Sequence, residues 1–568
     1  MMRVAPCALI LALLLALPAP AALADEIIRF TREDIARMKV NRIADVLNQA
    51  PGVSAGESTV GIHGSYKVKV LVDGRPINDP GSSHGAINWS VVSLESIERI
   101  EILPGRGGVR YGQDSGGGFI LFSTGAGESF SGQVKTWGGN YDSWFADAQA
   151  QAKSGNWSVE GGAQVRTTHS YTENNDYTKS RGGLGLGYGP DERHQLSLRA
   201  DRVHDHLGNP GLPDWPTPHS RKSGDGTLLS ARLLYGDWNL STFYNTSEEE
   251  RRDFSRDLYQ NLEVDEFGQD IGWALRTGSW GELALGAGGR LNRGEGSDFA
   301  RRREQNGALF ATQTLSREGS PWTLTLGARA FGSDTFASGL NPEIRAEYKQ
   351  PLWSLALGYN RSNNLPTLRQ RYARSSSTLP NPDLDMETAD NRLAVLSLTP
   401  DKRVSLRFSL FDNRIKDRIT YQSIGQGMGQ YVNYGSVSYR GGDCALTWQP
   451  LDGLTVKTNY IYLDAENRET GLKLPAKAAH ALRGDVFWQA TDKLLTVLSA
   501  KYSSKVYLDG ANEEEVDGYT LFDLRAEYDF GKVALFTEIN NLANTTWLYA
   551  DGLLGPPRTW LVGLRYRW

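Results

Sequence analysis

From about residue 128 onward one pattern recurs to the end of the chain: apolar and polar residues alternate. VSLRFSL (404–410) sets Val404, Leu406, Phe408 and Leu410 against Ser405, Arg407 and Ser409. LTVKTNYIY (454–462) sets Leu454, Val456, Tyr460 and Tyr462 against Thr455, Lys457 and Asn459. FDLRAEYDF (522–530) places Asp523, Arg525, Glu527 and Asp529 on its polar side, and in GLGLGYG (183–189) glycines occupy one face opposite Leu184, Leu186 and Tyr188. A period of two marks β-strands. Any half-buried antiparallel strand alternates in this way. The constraint lies in its persistence over roughly 440 residues (568 − 128) with almost no helical period between.

A soluble sandwich packs apolar faces together, and a propeller shows a blade repeat, which this sequence lacks. Here the polar faces are densely charged and the apolar faces carry Trp and Tyr at strand ends, the pattern of a lipid-facing band with aromatic girdles around a wet lumen. The composition agrees: only 39% hydrophobic residues, yet 62 Gly, 24 Tyr and 15 Trp. The final stretch WLVGLRYRW (560–568) ends on an aromatic of the apolar face. A closed barrel pairs its last strand with its first and leaves no edge in lipid, which places Trp568 at the membrane boundary, where it serves as the expected barrel-assembly signal. A net charge of −5, from 61 Lys+Arg and 66 Asp+Glu, argues against a nucleic-acid partner.

The N-terminus reads as a cleaved secretory signal over residues 1–24: Arg3, the apolar run ALILALLLAL (8–17), then Ala22-Leu23-Ala24. Cys7 leaves with it, so Cys444 is the one thiol expected in the mature chain, and no intrachain disulfide forms. Residues 25–125 read as a small α+β domain. Thr31 and Asp34 start a helix, NRIADVLNQA (41–50) carries helical spacing up to Pro51-Gly52, and the short strands TVGIHG, KVKVLVDG and SIERIEILPG follow. Residues 126–568 form the barrel.

This order, and the pieces IADVLNQAPGV (43–53), IHG (62–64), VLVDGRPIN (70–78), SIERIEILPG (96–105), RYGQDSGGGFILFST (110–124), NPDLDMET (381–388), YVNYGSVSYRGG (431–442), GYTLFDLRAEY (518–528) and INNLANTTW (539–547), resemble the TonB-dependent receptors of Gram-negative outer membranes. The resemblance implies a mainly β fold: a transmembrane antiparallel barrel of about 22 strands with an N-terminal α+β plug in its lumen. It departs from the family in three places. The family's TonB box and linker are not evident between Asp25 and FTREDI; His63 stands where the family has an arginine in its IRG motif; and Pro104 replaces a second arginine, with Arg106 displaced. The resemblance implies a plug–barrel lock, here expected from His63, Arg106, Glu387 and Asp443.

Further expectations concern ligand and function. The plug segment NDPGSSHGAINWS (78–90) matches the loop that receives ligand in relatives, which makes His84, Asn88 and Trp89 contact candidates. His204 and His206, with His219 in the same outer segment, have a spacing that can chelate a transition metal, although spacing alone is a weak signal and an ordinary polar loop is the favoured reading. No nucleophile elbow or zinc-protease motif occurs, so no enzyme is expected. No cofactor is required, and any metal chelate would be cargo. The resemblance implies a receptor importing a ferric chelate or corrinoid, with lipopolysaccharide, the barrel-assembly machinery and, if a coupling segment exists, TonB as partners. A permanently plugged docking barrel and a passive channel remain the alternatives. Because no disulfide is expected at Cys444, Cys444→Ser should leave the thermal midpoint within a few degrees of wild type, and a crosslinked Cys444 on non-reducing gels would contradict the assignment.

Overall fold

The computed structural model describes residues 27–568 apart from 84, 125–129, 213–214, 375–377, 426–427 and 551–552; the signal segment lies outside these. The first domain builds outward from a capped helix. Thr31 Oγ1 accepts from Asp34 N (3.2 Å) and Asp34 Oδ2 accepts from Thr31 N (3.0 Å) at the start of the helix Arg32–Met38, closing two orphan donors. The next helix, Ile43–Leu47, buries Ile43, Val46 and Leu47. Five strands make one sheet in the order Ile28–Thr31, Ile97–Pro104, Gly118–Thr124, Val68–Val72, Arg75–Pro76. Val70, Ile100, Ile102 and Ile120 are fully buried beneath it.

From Ser131 the chain forms a closed antiparallel barrel of 22 strands. They run from the 8-residue Val533–Asn540 to the 24-residue Met428–Leu451. A spanning strand needs only about 9–11 residues, so the hairpin of Val404–Gly425 and Met428–Leu451 stands well clear of the hydrocarbon. No helix among the described residues is long and apolar enough to cross a membrane; strands do the crossing. At one end the connections are tight turns such as those at Gly155, Gly236 and Gly453. At the other lie long segments such as 365–386 and 541–558.

Closure follows the expectation drawn from the C-terminus. Thr559–Arg567 pairs with Ser131–Gly139, from Leu561↔Gly139 to Arg567↔Gln133. Trp568 N donates to Gly132 O at 3.1 Å and Gly132 N returns the bond to Trp568 O at 3.3 Å. Trp568 stacks on Tyr566 (5.9 Å) and belongs to a girdle at the tight-turn end, with Trp157 on Tyr188 (4.8 Å), Trp322 on Tyr348 (4.7 Å) and Trp238 on Trp273 (5.7 Å). Above it the outer face is exposed Leu184, Leu198, Leu309, Leu357 and Val562.

The plug hangs inside on polar contacts spread around the wall. Lys39 pairs with Glu527 (2.8 Å) and Glu95 with Lys135 (2.9 Å). Asn41 donates to Glu538 (2.7 Å), and Asn459 and Asn413 donate to the backbone oxygens of Gln49 (2.6 Å) and Gly116 (2.9 Å). At the seam, a Cβ on Gly132 would lie 2.3 Å from the Trp568 ring. Gly132→Val, like Trp568→Ala or deletion of 560–568, should therefore lower the yield of heat-modifiable, membrane-inserted protein on gels; normal insertion of all three would refute the closure argument.

Candidate ligand vestibule and plug–barrel lock

The plug turn at His63 is built on strained backbone. His63 has φ 49°, and its N–H donates to Gly52 O at 2.8 Å. Gly52 itself has φ +71°, and a Cβ there would come within 2.5 Å of the His63 ring, so only glycine fits. The imidazole stacks on Phe411 (4.0 Å, 6° between planes) and sets Nε2 2.9 Å from Asp443 Oδ2. Asp443 also accepts from Ser409 Oγ at 3.0 Å and lies 3.6 Å from Arg407 Nη1. Of the four residues expected in the lock, the structure brings these two together. Glu387 is engaged within the wall, accepting from Asn364 Nδ2 and Ile419 N, both at 2.7 Å. Arg106 sits in a separate turn, whose Gly105 abuts Asn391.

Sequence reasoning missed two further plug–wall contacts. Asp73 and Gly74 both have positive φ, 51° and 90°, and turn the chain tightly. The turn aims Arg75 at the wall, where Nη2 meets Asp201 Oδ2 at 2.9 Å and Nη1 donates to Leu228 O at 3.1 Å. Arg181 and Arg199 share the same carboxylate, and Asn245 donates to Pro76 O. The Asp-Gly turn is readable from sequence; its partner 126 residues away is not. Beyond it, Lys477 from an outer loop donates to Gly64 O (2.7 Å) with Nζ 3.7 Å from the Tyr66 ring centre. Burial, and secondarily Arg418, pushes its ammonium well below the usual lysine value.

The ligand candidates scatter. His84 lies outside the described residues. Asn88 caps a short turn, its Oδ1 accepting from Ser90 N (3.0 Å), and its amide reaches Asp205 at 3.5 Å. Trp89 donates its indole N–H to Gly56 O (3.0 Å) and packs edge-on to Phe122, so it completes the plug core. Strand period decides the histidines. Asp201 and Val203 are buried against the plug, so His204 and His206, of opposite parity, stand exposed on the barrel's outer face. His204 bonds Asp225 there at 3.2 Å, and His219 is exposed in the following loop. Among the described residues no group of three His, Cys, Asp or Glu side chains could hold a metal ion. The His-x-His segment therefore does not assemble the metal site that its spacing allows.

What does enter the mouth is the helix Leu368–Tyr372, started by a Thr367–Gln370 capping box. Leu368 packs on Leu262 and Val264 of the wall, and Arg369 Nε donates to Gly81 O of the plug at 2.6 Å. Arg371 pairs with Glu304 and donates to Pro382 O. Beneath, a cavity of about 140 Å³ separates the plug at Lys67, Asn78 and Asp114 from the wall at Glu266, Asn292 and Arg329.

A family model described as TonB dependent receptor-like, beta-barrel, matches residues 110–542, and one for the TonB-dependent Receptor Plug Domain matches 21–119. The chain belongs to the TonB-dependent receptors. It is thus an outer-membrane receptor and not an enzyme. Relatives include the vitamin B12 transporter BtuB of Photobacterium profundum (23% identical, covering 88% of this chain and 85% of that protein) and an iron-regulated outer membrane virulence protein of Vibrio cholerae (23%, 94% and 91%). In fold the receptor matches the siderophore receptor PirA of Acinetobacter baumannii (TM-score 0.80, 16% identity, 96% and 98% covered) and the copper transporter OprC (0.82, 14%, 97% and 100%).

Asp201→Ala should leave Arg75 buried without a counter-charge, a loss of about 3–5 kcal/mol. His63→Ala, which strips one bond from Asp443, should cost roughly 1–3 kcal/mol. Native-state hydrogen exchange reads this directly: plug amides should lose protection in that order while wall strands keep theirs, and equal protection in both variants would exclude these contacts as the plug's main anchors.

Proposed function

We propose that this receptor binds a scarce, large nutrient, a ferric chelate or a corrinoid, at its outer mouth and imports it with TonB-linked energy. The observation that carries this reading is the filled lumen. The plug is tied to the wall from Lys39–Glu527 through Arg75–Asp201 to His63–Asp443, so a bulky solute passes only if the plug rearranges. Breaking several buried polar contacts at once needs work, which favours energised import over a passive channel. The names of the relatives, a vitamin B12 transporter and an iron-regulated protein, support the cargo class.

The coupling step carries its own constraint. Ile28–Thr31 pairs with Ile102–Arg99 of the plug sheet and buries Phe30. TonB, which would pair with an extended segment by strand addition, must therefore hold residues upstream of Ile28 or first peel this strand away. The barrel-assembly machinery would read the Trp568 end, and lipopolysaccharide would surround the outer face.

The test is uptake of radiolabelled ferric chelates and cobalamin by cells expressing the receptor as their sole transporter of this family. Accumulation should occur only with an intact proton-motive force and with TonB present. Uptake that survives an uncoupler would establish a passive channel, and no uptake of any such nutrient would leave the plugged docking barrel.

A further inference from the structure

We propose that the cargo of this receptor is an anionic chelate, recognised at the mouth by Lys222, Arg251 and Arg369. This inference rests on the import reading above and specifies its substrate class. Strand parity places the first two in the lumen. Leu228 packs into the plug core, so Lys222, of the same parity, faces inward. Asn245 donates to Pro76 of the plug, so Glu249 and Arg251 do likewise. Arg369 arrives from the mouth helix, tied to Gly81 of the plug.

These three cations converge on one carboxylate. Lys222 Nζ lies 2.6 Å from Glu249, Arg369 Nη2 2.8 Å and Arg251 Nη2 3.7 Å. Lys222 and Arg251 occupy directly opposed positions on neighbouring strands, an arrangement that costs free energy when the charges are alike. One carboxylate against three cations leaves two positive charges over (3 − 1). Further carboxylates face the same lumen: Asp205 is matched by Lys179 directly opposite it, Asp253 pairs with Arg256, and the plug's Asp79, which accepts from Gly81 N beside the Arg369 contact, lowers the local excess to one positive charge (2 − 1). The side chains are 31%, 33% and 22% exposed, open to an arriving solute, and Arg251 Nε has no hydrogen-bond acceptor.

A fold retains such a repulsive cluster at a cost, and a ligand with several anionic oxygens removes that cost on binding. Catecholate or carboxylate oxygens of a ferric chelate have this chemistry. A neutral corrinoid or neutral hydroxamate chelate would leave the excess charge uncompensated. Lipid phosphates share the chemistry but lie outside the wall and cannot reach an inward face.

The experiment is equilibrium binding to purified, detergent-folded receptor. The probes are a tris-catecholate ferric chelate, a neutral tris-hydroxamate ferric chelate, cyanocobalamin and inorganic phosphate. The catecholate should bind at least about tenfold tighter than the neutral probes, and added salt should weaken it. Lys222→Gln with Arg251→Gln should lower its affinity by a further tenfold or so, Arg251→Lys should retain most of it, and Glu249→Gln should raise it. Each variant is accepted only if its heat-modifiable migration matches wild type. Tighter binding of a neutral probe, or unchanged catecholate affinity in the double variant, overturns the anionic assignment while leaving import intact. Phosphate competing as well as the chelate reduces the cluster to a general anion site and also overturns it. If no chelate or corrinoid binds, the import reading and this inference fall together.

Discussion

The pairing of Thr559–Arg567 with Ser131–Gly139 is the contact on which the rest of this molecule depends. Hydrocarbon offers no partner to a backbone N–H or C=O, so an open sheet edge there would cost several kcal/mol per group. Closing the ring removes that penalty from the two strands that would otherwise be its edges. It also fixes the remaining problem, because a ring of 22 strands encloses a lumen far wider than side chains can fill. The N-terminal domain is the solution to that width.

The plug's attachment is chemically unlike its interior. Inside, Val70, Ile100, Ile102 and Ile120 make an ordinary apolar core. Against the wall, apolar contacts such as Val203, Leu228 and Phe487 are few, and charges and amides carry the junction. Buried ion pairs such as Arg75–Asp201 add little net stability over an apolar equivalent, yet breaking one alone is costly. They therefore position the domain sharply. A polar junction can also be rewetted if the plug shifts, whereas an apolar one would resist exposure to water. That property suits a stopper that must be displaced and reseated.

Much of this was legible beforehand, for local reasons. The Thr31–Asp34 cap, the Asp73-Gly74 turn and the alternating strands each depend on residues a few positions apart. His63 and Asp443 lie 380 residues apart and became visible only through the order of motifs shared with a family. The same reasoning placed Glu387 against the plug, and there it failed, because motif position gives proximity but not the direction of a side chain. It failed for Trp89 also, whose ring turned inward to the plug core.

The histidines at 204 and 206 show where the boundary falls. Alternation in the sequence states that they share one face of a strand, and no more. Which face meets lipid and which meets the plug depends on the phase of that strand within the closed ring, set by its neighbours through Asp201 and Val203. The sequence by itself determined a barrel, a plug, a terminal aromatic at the seam and the family to which they belong, since these follow from periodicity and motif order along the chain. Tertiary structure alone decided that Arg75 meets Asp201, that the histidines point outward, and that Lys222, Arg251 and Arg369 crowd a single carboxylate. Those outcomes depend on register summed around a ring, a quantity no local stretch of sequence contains.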